Sequence, residues 1–166
     1  KTLERAKELA KIMAKIYQLS GKHFMYLISD MESPLGKCYG NSLEILESIE
    51  TLQGRGPADL TELSLQLAGG MIHLAKLAPS HPAGIKLAKE ALYSGKAFEK
   101  WIQIVKAQGG DPQQILHPEK LPLSPHRLLV SAPQSGYLRE LQALKVGELL
   151  LWLGAGRGKK EDVIDV

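Results

Sequence analysis

The chain has 166 residues, of which 44% are hydrophobic, 23% charged and 5% aromatic, and its formal net charge is +3. This composition is typical of a globular domain and favours a folded core over a disordered chain, while the small, scattered charge argues against a nucleic-acid-binding surface. The sequence contains no run of about 18 apolar residues, so it predicts no membrane span. The single cysteine, Cys38, cannot form an internal disulfide and favours a reducing, cytoplasmic location.

The first predicted elements are a helix and a strand. Apolar residues recur at intervals of three and four and predict one helix face: Leu3, Ala6, Ala10, Met13 and Tyr17. Gly21 ends this helix. Residues 23–29, HFMYLIS, are too short for a second helix, and we interpret them as a buried, parallel strand. Because the chain begins with Lys rather than Met, we expect it to be part of a longer protein.

The next predicted helix begins near Asn41, an N-cap that pairs with Glu44 as in a capping box. Its predicted buried stripe consists of Leu43, Leu46, Ile49 and Leu52. A following helix begins near Asp59 and is predicted to bury Leu60, Leu63, Leu67, Met71, Leu74 and Leu77. Gly69 and Gly70 lie inside this helix at a cost of about 1 kcal/mol each relative to Ala. We therefore expect close approach of another helix there, with a hinge as the alternative.

Two more helices are predicted before the pattern changes, one opened by Ser80 and Pro82 and one that holds Trp101. Residues 111–125 contain four prolines and are predicted to be a connector without folded elements. Residues 126–141 predict two short strands around a Ser-Gly turn, followed by a helix in LKVGELLLWLGA. The chain stops in the apolar sequence VIDV, which predicts that this second region is incomplete.

Few side chains have the spacing of a catalytic or metal site. None of the five histidines forms a metal-binding pair, and His73, near the edge of an apolar helix face, is predicted to be structural. Cys38 has no evident base nearby and is not predicted to be a nucleophile. The sequence GAGRGKK, residues 154–160, lacks the spacing of a phosphate-binding loop and follows a helix, so it predicts an exposed helix end.

The loop between Asp30 and Asn41 is the exception. Pro34, Gly36 and Gly40 impose turns on it, and turns leave carbonyl groups without partners in a sheet. Glu47 follows in the next helix, so the loop and this carboxylate are an oxygen-rich candidate site for a hard cation, and carbonyl oxygens suit large monovalent ions. The alternative is that Glu47 is an ordinary solvated residue, and the pattern alone leaves both open.

The same loop carries a family resemblance. The sequence LISDMESPLGKCYGNSLEILESIETLQGRGPADLTEL, residues 27–63, resembles the thymidine and pyrimidine-nucleoside phosphorylases. The similarity continues in AQGGDP, in the Lys-Leu-Pro of HPEKLPLSP, in SGYLREL and in LGAGRGKKEDVID. It therefore extends over nearly the whole chain.

The resemblance implies a helix-rich fragment of a mixed-sheet α/β domain. Residues 1–110 correspond to the later part of the central α/β domain, 111–125 to the connector, and 126–166 to the start of a small C-terminal α/β domain. The family's phosphate-binding and substrate-contacting residues correspond to sequence before Lys1, so no catalytic residue is expected in this chain.

The resemblance also implies a reaction and a site. The family catalyses reversible phosphorolysis of a pyrimidine nucleoside, with phosphate as co-substrate, to the free base and (deoxy)ribose 1-phosphate. Many bacterial members hold a potassium ion through two loop carbonyls and one carboxylate, which correspond here to Leu35, Cys38 and Glu47. Many relatives have Ala in place of Cys38, a change that a carbonyl ligand tolerates. The parent enzyme is expected to be a cytoplasmic homodimer that binds small molecules, not nucleic acid or membranes.

Two other functions remain open from the sequence. The first is a non-catalytic interaction module that retains this piece of the fold. The second is a nucleotide phosphorylase of the AMP type, which differs in its pocket for base and sugar. The enzyme-fragment hypothesis predicts that apolar surface is exposed where further strands would pair.

Overall fold

The computed structural model describes residues 2–164, and helices make up most of its regular structure. No β-strand occurs within these residues, so the fold is helix-rich and the predicted mixed sheet is not present in them. Two compact units are found, one of residues 2–30 and 62–91 and the other of residues 31–61 and 92–164. The helices are α1 (Leu3–Leu19), α2 (Asn41–Leu52), α3 (Ala58–Leu74), α4 (His81–Tyr93), α5 (Lys96–Ala107), α6 (Gln113–Leu116) and α7 (Ala143–Trp152).

In the first unit, α3 and α4 pack unusually closely through glycines. A side chain at Gly69 would collide with the backbone and side chain of Ile85, and one at Gly84 would collide with the carbonyl group of Gly69. The prediction of close helix approach is therefore confirmed at Gly69, whereas Gly70 faces the Met25 side chain. The predicted buried face of α3 is partly wrong, since Leu67 and Met71 are exposed and the buried positions are Leu65, Gly69 and Gly70.

The strand predicted at residues 23–29 is not formed in the described part of the chain, where this segment is extended but pairs with no other strand. It is attached by side chains instead: the Tyr17 and Phe24 rings stack with centroids 6.2 Å apart, and the Met25 methyl group lies over Gly70. Helix α1 forms as predicted and is capped by Thr2, but none of its residues is buried. A sheet needs a neighbouring strand, which these residues do not supply.

In the second unit, α2 packs against α5, and Ile49 is only 1% exposed. The predicted N-cap of α2 is wrong by one residue, because Gly40 is the cap and Glu44 Oε1 accepts a hydrogen bond from its N–H at 2.9 Å. The predicted buried stripe is also partly wrong. Leu43 is exposed, whereas the buried positions are Glu47, Ile49 and Thr51.

The predicted connector at 111–125 contains ordered structure, contrary to expectation. Asp111 Oδ1 accepts a hydrogen bond from Gln113 N–H at 2.9 Å and starts α6, and a 3₁₀ turn follows at Pro118–Lys120. Ile115 is 6% exposed, so this short helix inserts an apolar side chain into the unit. The prolines limit the length of these elements without preventing them.

The two strands predicted after the connector are likewise not formed in the described residues. Residues 126–141 are extended without strand pairing in the described chain, and their apolar side chains are largely exposed: Leu128, Leu129, Val130, Tyr137 and Leu138. The helix predicted next is confirmed as α7, although it buries no residue completely. The last two residues of VIDV lie outside the described part of the chain.

The five predicted helices in residues 1–110 are all confirmed, and Gly21, the predicted end of α1, follows that helix with a positive φ angle. Gly95 and Gly109 follow α4 and α5 with positive φ angles. None of the helices in residues 2–164 is both long and apolar enough to cross a lipid bilayer.

Candidate metal centre

Glu47 is buried, with 8% of its surface exposed, and it points into the loop that precedes α2. Its Oε1 accepts a hydrogen bond from the N–H of Lys37 at 2.9 Å. Gly36 has a φ of +77°, and any side chain there would collide with the Glu47 carboxylate. The interpretation of Glu47 as a solvated helix residue is therefore wrong, because the loop is folded over this carboxylate.

Two further side chains hold the same bend. Asp59, in the first turn of α3, accepts a hydrogen bond from Gly36 N–H at its Oδ2, at 3.0 Å. The Tyr39 hydroxyl donates to the carbonyl oxygen of Gly36 at 2.8 Å. Asp59 thus fixes one peptide group of the loop. Glu47 and Tyr39 fix the next peptide group along the chain. The bend is defined by side chains rather than by a strand ladder.

The two carbonyl groups predicted as ligands, those of Leu35 and Cys38, are available. Neither oxygen accepts a hydrogen bond from the described residues, although Gly36 O between them does. Lone pairs of a carbonyl group in a folded loop are normally used by a hydrogen-bond donor, by water or by a cation. The three predicted site residues therefore belong to one bend, with Glu47 in contact with the peptide chain between the other two.

The charges around the bend are also suited to a cation. Burial, together with the charge of Glu47, raises the pKa of the Cys38 thiol, which shares a hydrogen bond with Glu47, and the pKa of the Tyr39 hydroxyl. Both groups are therefore neutral at pH 7. Within residues 2–164, no Lys, Arg or His forms an ion pair with Glu47. A buried carboxylate, together with carbonyl oxygens that accept no hydrogen bond from the described residues, supplies the hard oxygen ligands that alkali and alkaline-earth ions prefer.

Side-chain ligands alone do not form a metal site here. Residues 2–164 contain no group of three or more His, Cys, Asp or Glu side chains that could hold a metal ion. Any ion at this bend would therefore depend on the carbonyl oxygens of Leu35 and Cys38 in addition to Glu47. The residue types fit a monovalent cation better than zinc, which requires nitrogen or sulfur ligands.

The C-terminal part of the second unit also contacts the end of the loop. The Asn41 amide donates to the carbonyl oxygen of Ala155 at 3.2 Å, and the Leu150 side chain lies against Gly40. This connects the Gly-Asn pair before α2 to the segment that follows α7. Asn41 thus holds a distant loop rather than capping its own helix.

The other candidate residues have structural environments, as predicted. His73 Nδ1 lies 3.1 Å from the carbonyl oxygen of Ala78, which confirms its structural role, and His81 Nε2 lies 2.9 Å from that of Gln66. Cys38 is not activated, because its pKa is raised rather than lowered. The sequence GAGRGKK begins where α7 ends, and Gly154 has a φ of +87°.

Sequence reasoning missed Asp59 and Tyr39. Asp59 was interpreted only as a helix-start residue, and its contact with Gly36 joins positions 23 residues apart. No local periodicity reports such a contact. The one signal in the sequence was Gly36 itself, since a glycine between two potential ligands favours a backbone conformation that other residues rarely adopt.

The architecture and the loop belong to a known class of protein. The family described as "Glycosyl transferase family, a/b domain" matches residues 1–98. The chain therefore belongs to this glycosyl transferase family.

Similarity to individual proteins extends beyond the family domain. Over all 166 residues the chain is 46% identical to proteins named pyrimidine-nucleoside phosphorylase from Staphylococcus aureus strains USA300 and NCTC 8325 / PS 47. The same identity is found with the protein of that name from strain bovine RF122/ET3-1. The chain spans 38% of the length of these relatives.

Proposed function

We propose that the protein carrying this chain is a pyrimidine-nucleoside phosphorylase. The observation that carries the proposal is the 46% identity over the whole chain to relatives of that name. In the proposed reaction an oxygen of inorganic phosphate attacks the anomeric carbon of the nucleoside. The bond to the base nitrogen breaks, and the base leaves with the bonding electrons and takes up a proton. Catalysis of this kind depends mainly on positioning and electrostatics.

This chain contributes to the reaction structurally, through the bend before α2. We propose that the carbonyl oxygens of Leu35 and Cys38, together with the Glu47 carboxylate, hold a potassium ion. When bound, the ion supplies a positive charge that draws surrounding oxygen ligands together. The support is the buried Glu47 carboxylate, which has no ion-pair partner among the described residues, and the two carbonyl groups that accept no hydrogen bond there.

The exposed apolar segments support the proposal that a longer chain completes the fold. Residues 23–29 and 126–138 are extended and carry side chains such as Tyr26 and Leu128 at the surface. Unpaired extended segments of this composition normally pair with other strands or aggregate. We propose that they become strands of a mixed sheet and of a small C-terminal α/β domain in the complete protein. We further propose a homodimer in the cytoplasm.

Activity of the complete gene product tests the function. The purified protein is incubated with thymidine or uridine, with and without inorganic phosphate, and the free base is measured. We expect base release only when phosphate is present, because phosphate is the nucleophile. The 166-residue chain is the matched control, and we expect it to release none. A complete product that is inactive on every pyrimidine nucleoside would refute the proposal.

The potassium proposal has its own test. In the complete product, Glu47→Gln removes the negative charge and keeps the side-chain size, so we expect activity to need a higher potassium concentration. The control is Glu44→Gln, which changes a nearby carboxylate that accepts a hydrogen bond from the Gly40 N–H. An unchanged dependence of the rate on potassium in Glu47→Gln would exclude Glu47 as a ligand.

A further inference from the structure

We propose that Asp59 is a positioning residue for the ion site, because it fixes the direction of the Leu35 carbonyl group. This inference rests on the proposed ion site and adds a residue that is not among its ligands. The observation that carries it is the hydrogen bond from Gly36 N–H to Asp59 Oδ2 at 3.0 Å.

The geometry of the peptide bond makes the connection direct. The N–H of Gly36 and the C=O of Leu35 belong to one peptide group, which is planar and trans here as elsewhere in the described chain. In such a group the N–H and C=O point in opposite directions. Asp59 holds the N–H, so the Leu35 oxygen is held on the side of the peptide that faces away from Asp59.

Gly36 cannot fix this direction by itself. Its φ of +77° is accessible to glycine without strain, and glycine has many alternative conformations. Without an external contact, the peptide group before Gly36 could rotate and turn the Leu35 oxygen elsewhere. Asp59 restricts this rotation at the N–H, while Tyr39 and Glu47 hold the next peptide group along the chain.

The charge of Asp59 strengthens the effect. Hydrogen bonds from Gly36 and Leu60 N–H groups lower the pKa of Asp59, so the acceptor is a carboxylate at pH 7. An anionic acceptor at the N–H polarises the peptide group and places more negative charge on its carbonyl oxygen. The Leu35 oxygen is thereby both oriented and made a better ligand for a cation. This is a role that a simple helix-start aspartate would not have.

The experiment uses the complete gene product and measures potassium binding through stability. Thermal unfolding is recorded over a range of KCl concentrations, with tetramethylammonium chloride maintaining the ionic strength, because the methyl groups of that cation prevent close coordination by carbonyl oxygens. A ligand that binds the folded state raises the unfolding temperature according to its affinity. The rate of base release is then measured over the same range of KCl concentrations.

The variants separate the hydrogen bond from the start of the helix. In Asp59→Ala and Asp59→Ser we expect a weaker response to potassium. The potassium concentration that gives half of the maximal rise in unfolding temperature should increase about two- to tenfold, as the loss of one hydrogen bond implies. Ser retains a residue suited to the first turn of α3 but is too short to reach Gly36. Asp59→Asn keeps an acceptor oxygen and should restore most of the affinity. Glu62→Ala, in the same helix, should match the wild type.

The outcomes distinguish this inference from the proposed site. If the wild type responds to potassium and both Asp59→Ala and Asp59→Ser respond equally well, Asp59 does not position the ligand. If Asp59→Asn is as weak as Asp59→Ala, the hydrogen bond is not the cause and the inference is also wrong. If the wild type shows no specific response to potassium, the ion site itself is refuted, together with the role of Asp59.

Discussion

Residues 111–125 and 126–138 are neighbours in the sequence, and their composition is misleading in opposite ways. The first stretch is rich in proline and polar residues, yet it forms a short helix and buries Ile115 to 6% exposure. The second is apolar and strand-like, yet Leu128 is 89% exposed and no strand forms there in the described chain. Composition alone did not decide burial in either stretch. What decided it was whether a partner surface was present.

The same contrast applies to the loop before α2. It is polar and rich in turns, but its peptide groups are held by Asp59, Tyr39 and the buried Glu47. A hydrogen-bonded loop can be more constrained than an apolar segment without neighbours. Substitutions in segments that are held by packing or hydrogen bonds should therefore lower stability more than substitutions in segments without neighbours.

The largest effect is expected at Ile115. Ile115→Ala should lower the free energy of unfolding of the 166-residue chain by about 2 to 4 kcal/mol, because it leaves a cavity in the second unit. The matched control in the exposed segment is Leu128→Ala, which should change it by less than about 0.5 kcal/mol. Urea denaturation measures both. Equal effects of Ile115→Ala and Leu128→Ala would contradict the expected difference between a buried and an exposed side chain.

The next effect is expected at Gly36. Gly36→Ala should lower the free energy of unfolding by about 1 to 3 kcal/mol, because the new methyl group requires an unfavourable φ and meets the Glu47 carboxylate. Gly136→Ala is the control, since a side chain at Gly136 meets no atom within 4 Å. Urea denaturation of both variants compares the held loop with the unpartnered segment. A tolerated Gly36→Ala would show that the bend is adaptable.

The effect of Leu128→Ala on stability should be larger in the complete gene product than in the 166-residue chain. If additional chain covers residues 126–138, as we propose, Leu128→Ala in the complete gene product should cost about 1 to 2 kcal/mol instead of almost nothing. Hydrogen exchange of amides 126–138, measured in both proteins, provides an independent readout. We expect slow exchange only in the complete product. Fast exchange in both proteins would refute the proposed strands.

The smallest effect is expected from the titration of Asp59. Its pKa is lowered in the folded state by the N–H groups of Gly36 and Leu60. Its contribution is therefore fully present above the pKa of the unfolded chain, about 3.9, and is lost as the pH falls through the lower folded-state pKa. The stability difference between the wild type and Asp59→Ala should shrink in this acidic range, as followed by urea denaturation.

The control for the titration is Tyr39→Phe, which removes the other hydrogen bond to Gly36. The Tyr39 hydroxyl has a raised pKa and stays neutral in acid, so the effect of its removal should not vary there. A parallel pH dependence in both variants would assign the effect to general acid unfolding rather than to Asp59.

Much of the candidate site was accessible from the sequence through family resemblance. The motif around Pro34 and Gly36 pointed to Leu35, Cys38 and Glu47, and the structure places Glu47 against the chain between the other two. The resemblance could not show how the bend is held. That depends on Asp59 and Tyr39, whose contacts appear only when the loop and the start of α3 are brought together.

The sequence by itself determined the helices and most of their ends, since apolar periodicity, glycine and capping residues act within a few residues of one another. It also determined that Gly69 requires close packing. Only the tertiary structure decided which helix faces were covered, that residues 23–29 and 126–138 did not pair, and that Glu47 was buried. Burial and strand pairing require a second surface, and a local pattern carries no information about whether that surface is present.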